Sequence, residues 1–185
     1  MSQAVISTAR LLLRPLTLAD APRIADLVGG LEVARMLSRV PHPYTLADAL
    51  GWIASQASAE SRARQPVFAG EREGALIGLV SYQVADDRRA AEIGYWLGKP
   101  YWGNGYATEM ARALIRHGVV SANLPRFTTS HFIDNLASAR VIAKCGFKLT
   151  GRRKLPCPAR DSEVTALTYA LTRAEAEAQT WFVAA

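Results

Sequence analysis

The chain has 185 residues, half of them hydrophobic, with a formal charge of +6 and a pI near 9.7. That length fills one core well and is short for two, so a single domain over 1–185 is expected. No apolar run nears the roughly 20 residues that cross a bilayer. The opening Met-Ser-Gln-Ala-Val-Ile-Ser-Thr lacks the basic start and apolar stretch of a secretion signal, so a soluble, cytoplasmic protein off the membrane is expected. The basic balance asks for an anionic partner, which leaves nucleic acid, an acidic substrate or a polyphosphate cofactor. The arginines are scattered and no zinc-finger, basic-leucine or aromatic single-strand pattern accompanies them, which disfavours nucleic acid. Cys145 and Cys157 stand outside any Cys-x-x-Cys or Cys/His cluster, so two free thiols and no metal site are expected.

In chain order, Arg10 to Leu16 reads as a short strand ended by Pro15. Thr17-Leu-Ala-Asp20 has capping-box spacing ahead of Ile24, Leu27 and Val28, and the helix breaks at Gly29 and Gly30. A second helix is expected after the Pro41 to Pro43 turn, capped by Thr45, with Leu46, Leu50 and Ile53 or Trp52 on one side, fading into the polar stretch Ser58 to Gln65. Pro66 to Ala69, Ala75 to Val84 and Ala91 to Leu97 then read as an antiparallel meander. After Gly105 the period changes: Ala107, Met110, Ala111, Leu114, Ile115 and Val119 fall three and four apart, the mark of an amphipathic helix. Phe127 to His131 is a strand and Leu136 to Cys145 a helix closed by Gly146. Lys148 to Arg153 and Val164 to Thr172 complete the strands before an alanine- and glutamate-rich tail. The order gives an α/β (α+β) protein, a mixed sheet flanked by helices.

The densest chemical signal is Glu92 to Glu109, a strand running through a glycine-bearing loop into the amphipathic helix. A helix N-terminus presents unpaired amides and the positive end of its dipole, and Gly103 and Gly105 strip the Cβ atoms that would keep a phosphate away. A tight strand-to-helix turn would use the same glycines, so both readings stand. The Gly-Lys-Ser/Thr of a Walker loop is missing. A Rossmann fingerprint would want glycine or alanine where Thr108 stands, and an alternating strand-helix order in place of three successive strands.

Trp102-Gly-Asn-Gly105-Tyr-Ala107 resembles the cofactor loop of the GNAT superfamily of N-acetyltransferases, Gln/Arg-x-x-Gly-x-Gly/Ala. Pro100 replaces the first position, and Tyr-Trp-Gly-x-Gly-Tyr-Ala-Thr-Glu is similar to the RimJ/RimL-like branch that acetylates ribosomal-protein N-termini. Asp134 to Phe147 resembles that branch's Asn-x-x-Ser-x-Arg…Lys-x-Gly-Phe segment, and Arg10 to Asp20 its usual opening. The resemblance implies a mostly antiparallel sheet of six to seven strands with about four flanking helices. It also implies a V-shaped splay between Ala91–Leu97 and Phe127–His131 that admits acetyl-CoA.

By the same resemblance, Tyr95, Trp96 and Leu97 lie against the cofactor, with the amide of Trp96 or Leu97 as oxyanion donor. The loop Gly103, Asn104, Gly105, Tyr106, Ala107 and Thr108 takes the pyrophosphate, helped by Arg140 and Lys144, which as an i, i+4 pair also read as an ordinary basic helix surface. Asn135 contacts the pantetheine arm, caps a helix, or does both. Ser138 gives a proton to the departing thiolate or is a structural first-turn serine. Glu92 accepts the amine proton or is an exposed sheet-face carboxylate. Cys145 reads as core. The function implied is direct acetyl transfer from acetyl-CoA, a co-substrate, to a primary amine, whether a protein N-terminus or a small molecule, with a homodimer compatible. A catalytically silent CoA-binding regulatory module and a nucleic-acid binder are the alternatives.

Overall fold

Alternating strand faces and two turns of charged residues set up one long sheet, and the computed structural model describes it over residues 5–183. Residues 1–4, on which the leader reading partly rests, and 184–185 lie outside the described residues. The first half runs β1 (Ile6–Ser7), β2 (Leu12–Pro15), α1 (Ala21–Val28), α2 (Leu31–Ala34), α3 (Leu46–Ser55), α4 (Ala59–Arg64), β3 (Val67–Arg72), β4 (Ala75–Val84) and β5 (Ala91–Leu97). Then come α5 (Tyr106–Val120), β6 (Arg126–Phe132), α6 (Leu136–Lys144), β7 (Lys148–Cys157), β8 (Ser162–Thr172), α7 (Arg173–Glu177) and α8 (Thr180–Val183). No helix among the described residues is long and apolar enough to cross a membrane.

The sheet order is β1-β2-β3-β4-β5-β6-β8-β7, with every neighbouring pair antiparallel except β5–β6. The strand beyond the six or seven expected is the two-residue β1, too short to announce itself by alternation. It pairs only with Leu12 and Leu13, which leaves Pro15 at the free end of β2, where its missing N–H costs no bond to β1. Four helices run eight residues or more, α1, α3, α5 and α6.

Local chemistry explains most boundaries. Thr17 and Asp20 form the capping box before α1, and Asp20 also takes two bonds from Arg14, at 2.9 and 2.7 Å, that tie β2 to the helix start. Thr45 caps α3 with Asp48. The buried face of α3 corrects the expectation: Ala49 and Ile53 point inward, whereas Leu46 and Leu50 are exposed. The polar stretch after Ser58 does not fade but forms α4, capped by the Ser58 hydroxyl. Strand β7 runs beyond the expected end at Arg153 to Cys157 and takes in Pro156, because β7 is an edge strand whose outer amides need no partner.

One core lies on the face covered by α5 and α6, around Phe68, Met110, Leu114, Ile115 and Phe127. A second lies on the opposite face under α1 and α3, around Ile24, Val28, Ile53 and Leu79. Along β5 the odd residues Ala91, Ile93 and Leu97 belong to the first, and Trp96 packs on the second. The cleft described next opens between these two layers.

Candidate active site

Strands β5 and β6 pair in parallel only at Ala91–Phe127 and Glu92–Thr128. Past that point β5 continues against β4 as far as Leu97, and β6 against β8 as far as Phe132, so the two diverge. At the apex the Thr129 hydroxyl donates to the Ile93 carbonyl at 3.0 Å. That bond fixes which backbone groups face the opening. Gly98 N–H is bonded to Ile77 of β4. Alternation therefore turns the amides of the even residues toward β4 and those of Tyr95 and Leu97 into the splay. Of the two amides named from sequence, Leu97 faces the opening and Trp96 faces β4; Tyr95 joins Leu97.

The splay widens into a cleft of about 1060 Å³. Its lining brings together Glu92, Tyr95, Trp96, Leu97, Gly103, Gly105, Tyr106, Ala107, Thr108, Asn135, Ser138, Arg140 and Lys144. Asn104 is not part of this wall. Its side-chain amide folds back to the carbonyls of Tyr101 and Trp102, at 3.3 and 2.9 Å, and so shapes the loop from within.

The loop conformation follows from its glycines. Gly103 and Gly105 have φ of +78° and +82°, a region that costs a side-chain-bearing residue about 1–2 kcal/mol. Gly105 is the N-cap of α5 and, having no side chain, leaves the first-turn amides uncapped. A Cβ built on Gly103 would meet nothing within 4 Å, so the approach to those amides is open. Tyr106 sends its ring into the core and Thr108 is buried, so both offer backbone rather than side chain to the cleft. Exposed Arg140 and Lys144 rise one turn apart on the facing helix α6. These amides and both cations line the same cleft, and the positive end of α5 favours an anionic group at its start.

Arg10 supports this loop, a role its sequence position did not announce. Its guanidinium donates to the Asn104 carbonyl at 3.1 Å, pairs with Glu109 at 2.7 Å and lies over the Tyr106 ring. Burial alone would raise the Glu109 carboxyl, but hydrogen bonds from Thr8 and Arg10 outweigh it and hold the group below the usual carboxylate range. Trp102 adds a further tie, its indole N–H donating to the Leu97 carbonyl at 2.8 Å.

Across the splay, Asn135 caps α6 by accepting the Ser138 N–H at 3.0 Å with its side-chain oxygen, which fixes this residue at the cleft wall. The Ser138 hydroxyl lies 2.8 Å from the Tyr95 phenol, joining α6 to β5. Burial pushes the Tyr95 phenol well above its ordinary range, partly offset by that contact, so it stays protonated. On the opposite face of β5, Glu92 is paired with Arg153 of β7 at 2.9 Å and is about two-fifths exposed. A second cross-cleft tie sits beyond it, where Arg160 donates to the Arg35 carbonyl at 2.7 Å and pairs with Asp134 at 2.8 Å. The hydrogen bond from Arg160 holds the Asp134 carboxyl below its ordinary value.

Cys145 is buried and its thiol is pushed up to about 12 by burial, against a smaller opposing effect of Arg112, so it is no nucleophile at neutral pH. Cys157 is also buried, its thiol donating to the Arg35 carbonyl. Among the described residues no group of three or more His, Cys, Asp or Glu could hold a metal ion.

The chain is similar to known proteins. A family model described as "Acetyltransferase (GNAT) domain" matches residues 10–148. The chain is 31% identical over 150 residues to YoaA of Bacillus subtilis (strain 168), described as an uncharacterized N-acetyltransferase, covering 80% of this chain and 84% of that one. It is 37% identical over 81 residues to the ribosomal-protein-serine acetyltransferase of Escherichia coli (strain K12), covering 43% and 45% respectively. Among solved structures, RimJ of Mycobacterium smegmatis in complex with CoA-disulfide superposes with a TM-score of 0.85 at 21% identity, over 97% of this chain and 92% of that one.

Proposed function

Because the chain belongs to the GNAT acetyltransferase family, we propose that it moves an acetyl group from acetyl-CoA directly to a primary amine. The observation that carries this is one cleft with an uncapped, glycine-lined helix start at one side and a carboxylate at the other, joined by an unpaired strand edge. The cations and amides suit a pyrophosphate, and the narrow splay suits an extended chain with a thioester at its end. The RimJ neighbour's complex with a CoA derivative supports the same occupant.

Transfer requires an amine without its extra proton, a donor to the charge that develops on the acetyl oxygen, and a proton for sulfur. Glu92 takes the proton of the attacking nitrogen, directly or through one water. The N–H of Leu97, with that of Tyr95, donates to the acetyl oxygen. As the C–N bond forms and the C–S bond breaks, Ser138 gives its hydroxyl proton to the thiolate in step with a proton from the Tyr95 phenol 2.8 Å away, and the proton taken by Glu92 returns to the phenol through water, so neither hydroxyl is left ionised. A thiol with a reference pKa of about 8.5 makes that last step helpful rather than obligatory. Glu92 and Tyr95 project from opposite faces of β5, so the base and the acid flank the reacting carbon from two sides.

Binding is tested by isothermal titration with acetyl-CoA, using a nicotinamide dinucleotide as control. Saturable binding of acetyl-CoA alone is expected. Gly105→Val, which strains the φ of +82° and brings a β-branched side chain to the helix start, is expected to weaken it at least about tenfold. Equal affinity in the variant would remove the loop from the site.

A further inference from the structure

The acceptor side of the cleft is built for one kind of amine. Five hydrophobic side chains, Leu37 and Val40 before α3, Tyr44 and Trp52 at and within it, and Trp96 on β5, line the cleft and pack on the α1–α3 core. Each is only half-buried, with one side on the core and the rest turned to the cleft. Glu92 and Trp96 share this face of β5, and between them Gly94 leaves a gap: a Cβ there would touch only the Ser81 hydroxyl, at 3.8 Å. The base therefore stands beside an open slot that leads onto an aromatic wall.

The charged groups narrow the choice. Three carboxylates line the cleft, and each already has partners. Glu92 pairs with Arg153 at 2.9 Å, Asp134 with Arg160 at 2.8 Å, and Asp48 accepts the N–H and hydroxyl of Thr45 at 2.8 and 2.6 Å. Arg39 is tied to Gln83 at 3.2 Å. Two of the three, Glu92 and Asp134, are thus neutralised by arginines and the third is held at the cap of α3, so contact with the apolar wall carries most of the recognition. Resting on the acetyltransferase reading above, we propose that the acceptor is a primary amine with an uncharged apolar or aromatic body, its nitrogen over Gly94 beside Glu92 and its body against Tyr44, Trp52 and Trp96.

The test is a steady-state panel with acetyl-CoA and four acceptors: 2-phenylethylamine, hexylamine, spermidine and a serine-initiated peptide. The expected order puts both apolar amines at least about tenfold above spermidine and the peptide in kcat/KM. Trp52→Ala is expected to raise KM for 2-phenylethylamine about tenfold with kcat little changed, the pattern of lost uniform binding. Gly94→Val fills the slot without opening a cavity, and is expected to suppress turnover of the apolar amines while acetyl-CoA affinity, read by titration, stays unchanged. Preference for spermidine or the peptide, or an unaltered ratio in both variants, overturns the substrate class and leaves the acetyltransferase reading standing. Failure of the wild-type protein to bind acetyl-CoA overturns both.

Discussion

Glu92→Gln is expected to lower kcat for amine acetylation by about a hundredfold or more, with acetyl-CoA affinity within about twofold of the parent. The substitution keeps the shape of the side chain and its contact with Arg153 but removes the capacity to take a proton. A primary alkylamine has a pKa near that of lysine, about 10.4, so the neutral nucleophile is scarce at pH 7 and its proton must go somewhere as nitrogen attacks. Among the carboxylates lining the cleft, Glu92 alone sits on β5 where that strand separates from β6. Unchanged kcat in Glu92→Gln would return the residue to an exposed sheet-face carboxylate and transfer the task to water.

The second large effect is expected at the hydroxyl pair. Ser138→Ala is expected to cut kcat on the order of 30-fold, and Tyr95→Phe by a smaller factor, because the thiolate then leaves without a proton. The informative quantity is their combination. Two groups that pass one proton, 2.8 Å apart, act as a unit, so the double variant is expected to fall little below Ser138→Ala alone. If the losses multiply, the two hydroxyls contribute separately, and Tyr95 serves only to hold α6 against β5. Circular dichroism of the variants guards against a folding defect, since Tyr95 also packs against the larger core.

Much of this architecture was legible in the residues. Strands β4 and β5 fall where the alternation put them, because charged turns bracket β4 and open β5, and α5 follows its three-and-four spacing. The phosphate-suited loop was visible because two glycines at a strand-to-helix junction have few physical uses. What escaped the sequence was set by contacts between distant segments. Arg10 reaches Glu109 and Asn104 only after β2 and α5 come together, and no local pattern carries that. The Arg160–Arg35 tie joins the β7–β8 connection to the end of α2, and the Arg153–Glu92 tie joins β7 to β5, contacts between segments far apart in the chain. Helix α3 was half seen: Thr45 caps it as expected, but Leu46 and Leu50 were grouped on one side with Ile53 or Trp52, whereas the buried residues are Ala49 and Ile53. An apolar stripe on a short helix with leucines all round does not by itself say which side is covered. The side chains that line the cleft, Tyr44 and Trp52, are the amphipathic ones, able to pack on one side and stay accessible on the other.

The most direct test of direct acetyl transfer is to mix the protein with acetyl-CoA and a primary amine, and to follow free thiol and acetylated product together. The account predicts the two appearing in equal amounts, dependent on both substrates and with no acetyl group left on the protein when the amine is withheld. Binding of acetyl-CoA with no product from any primary amine would contradict it and leave a silent CoA-binding module in its place.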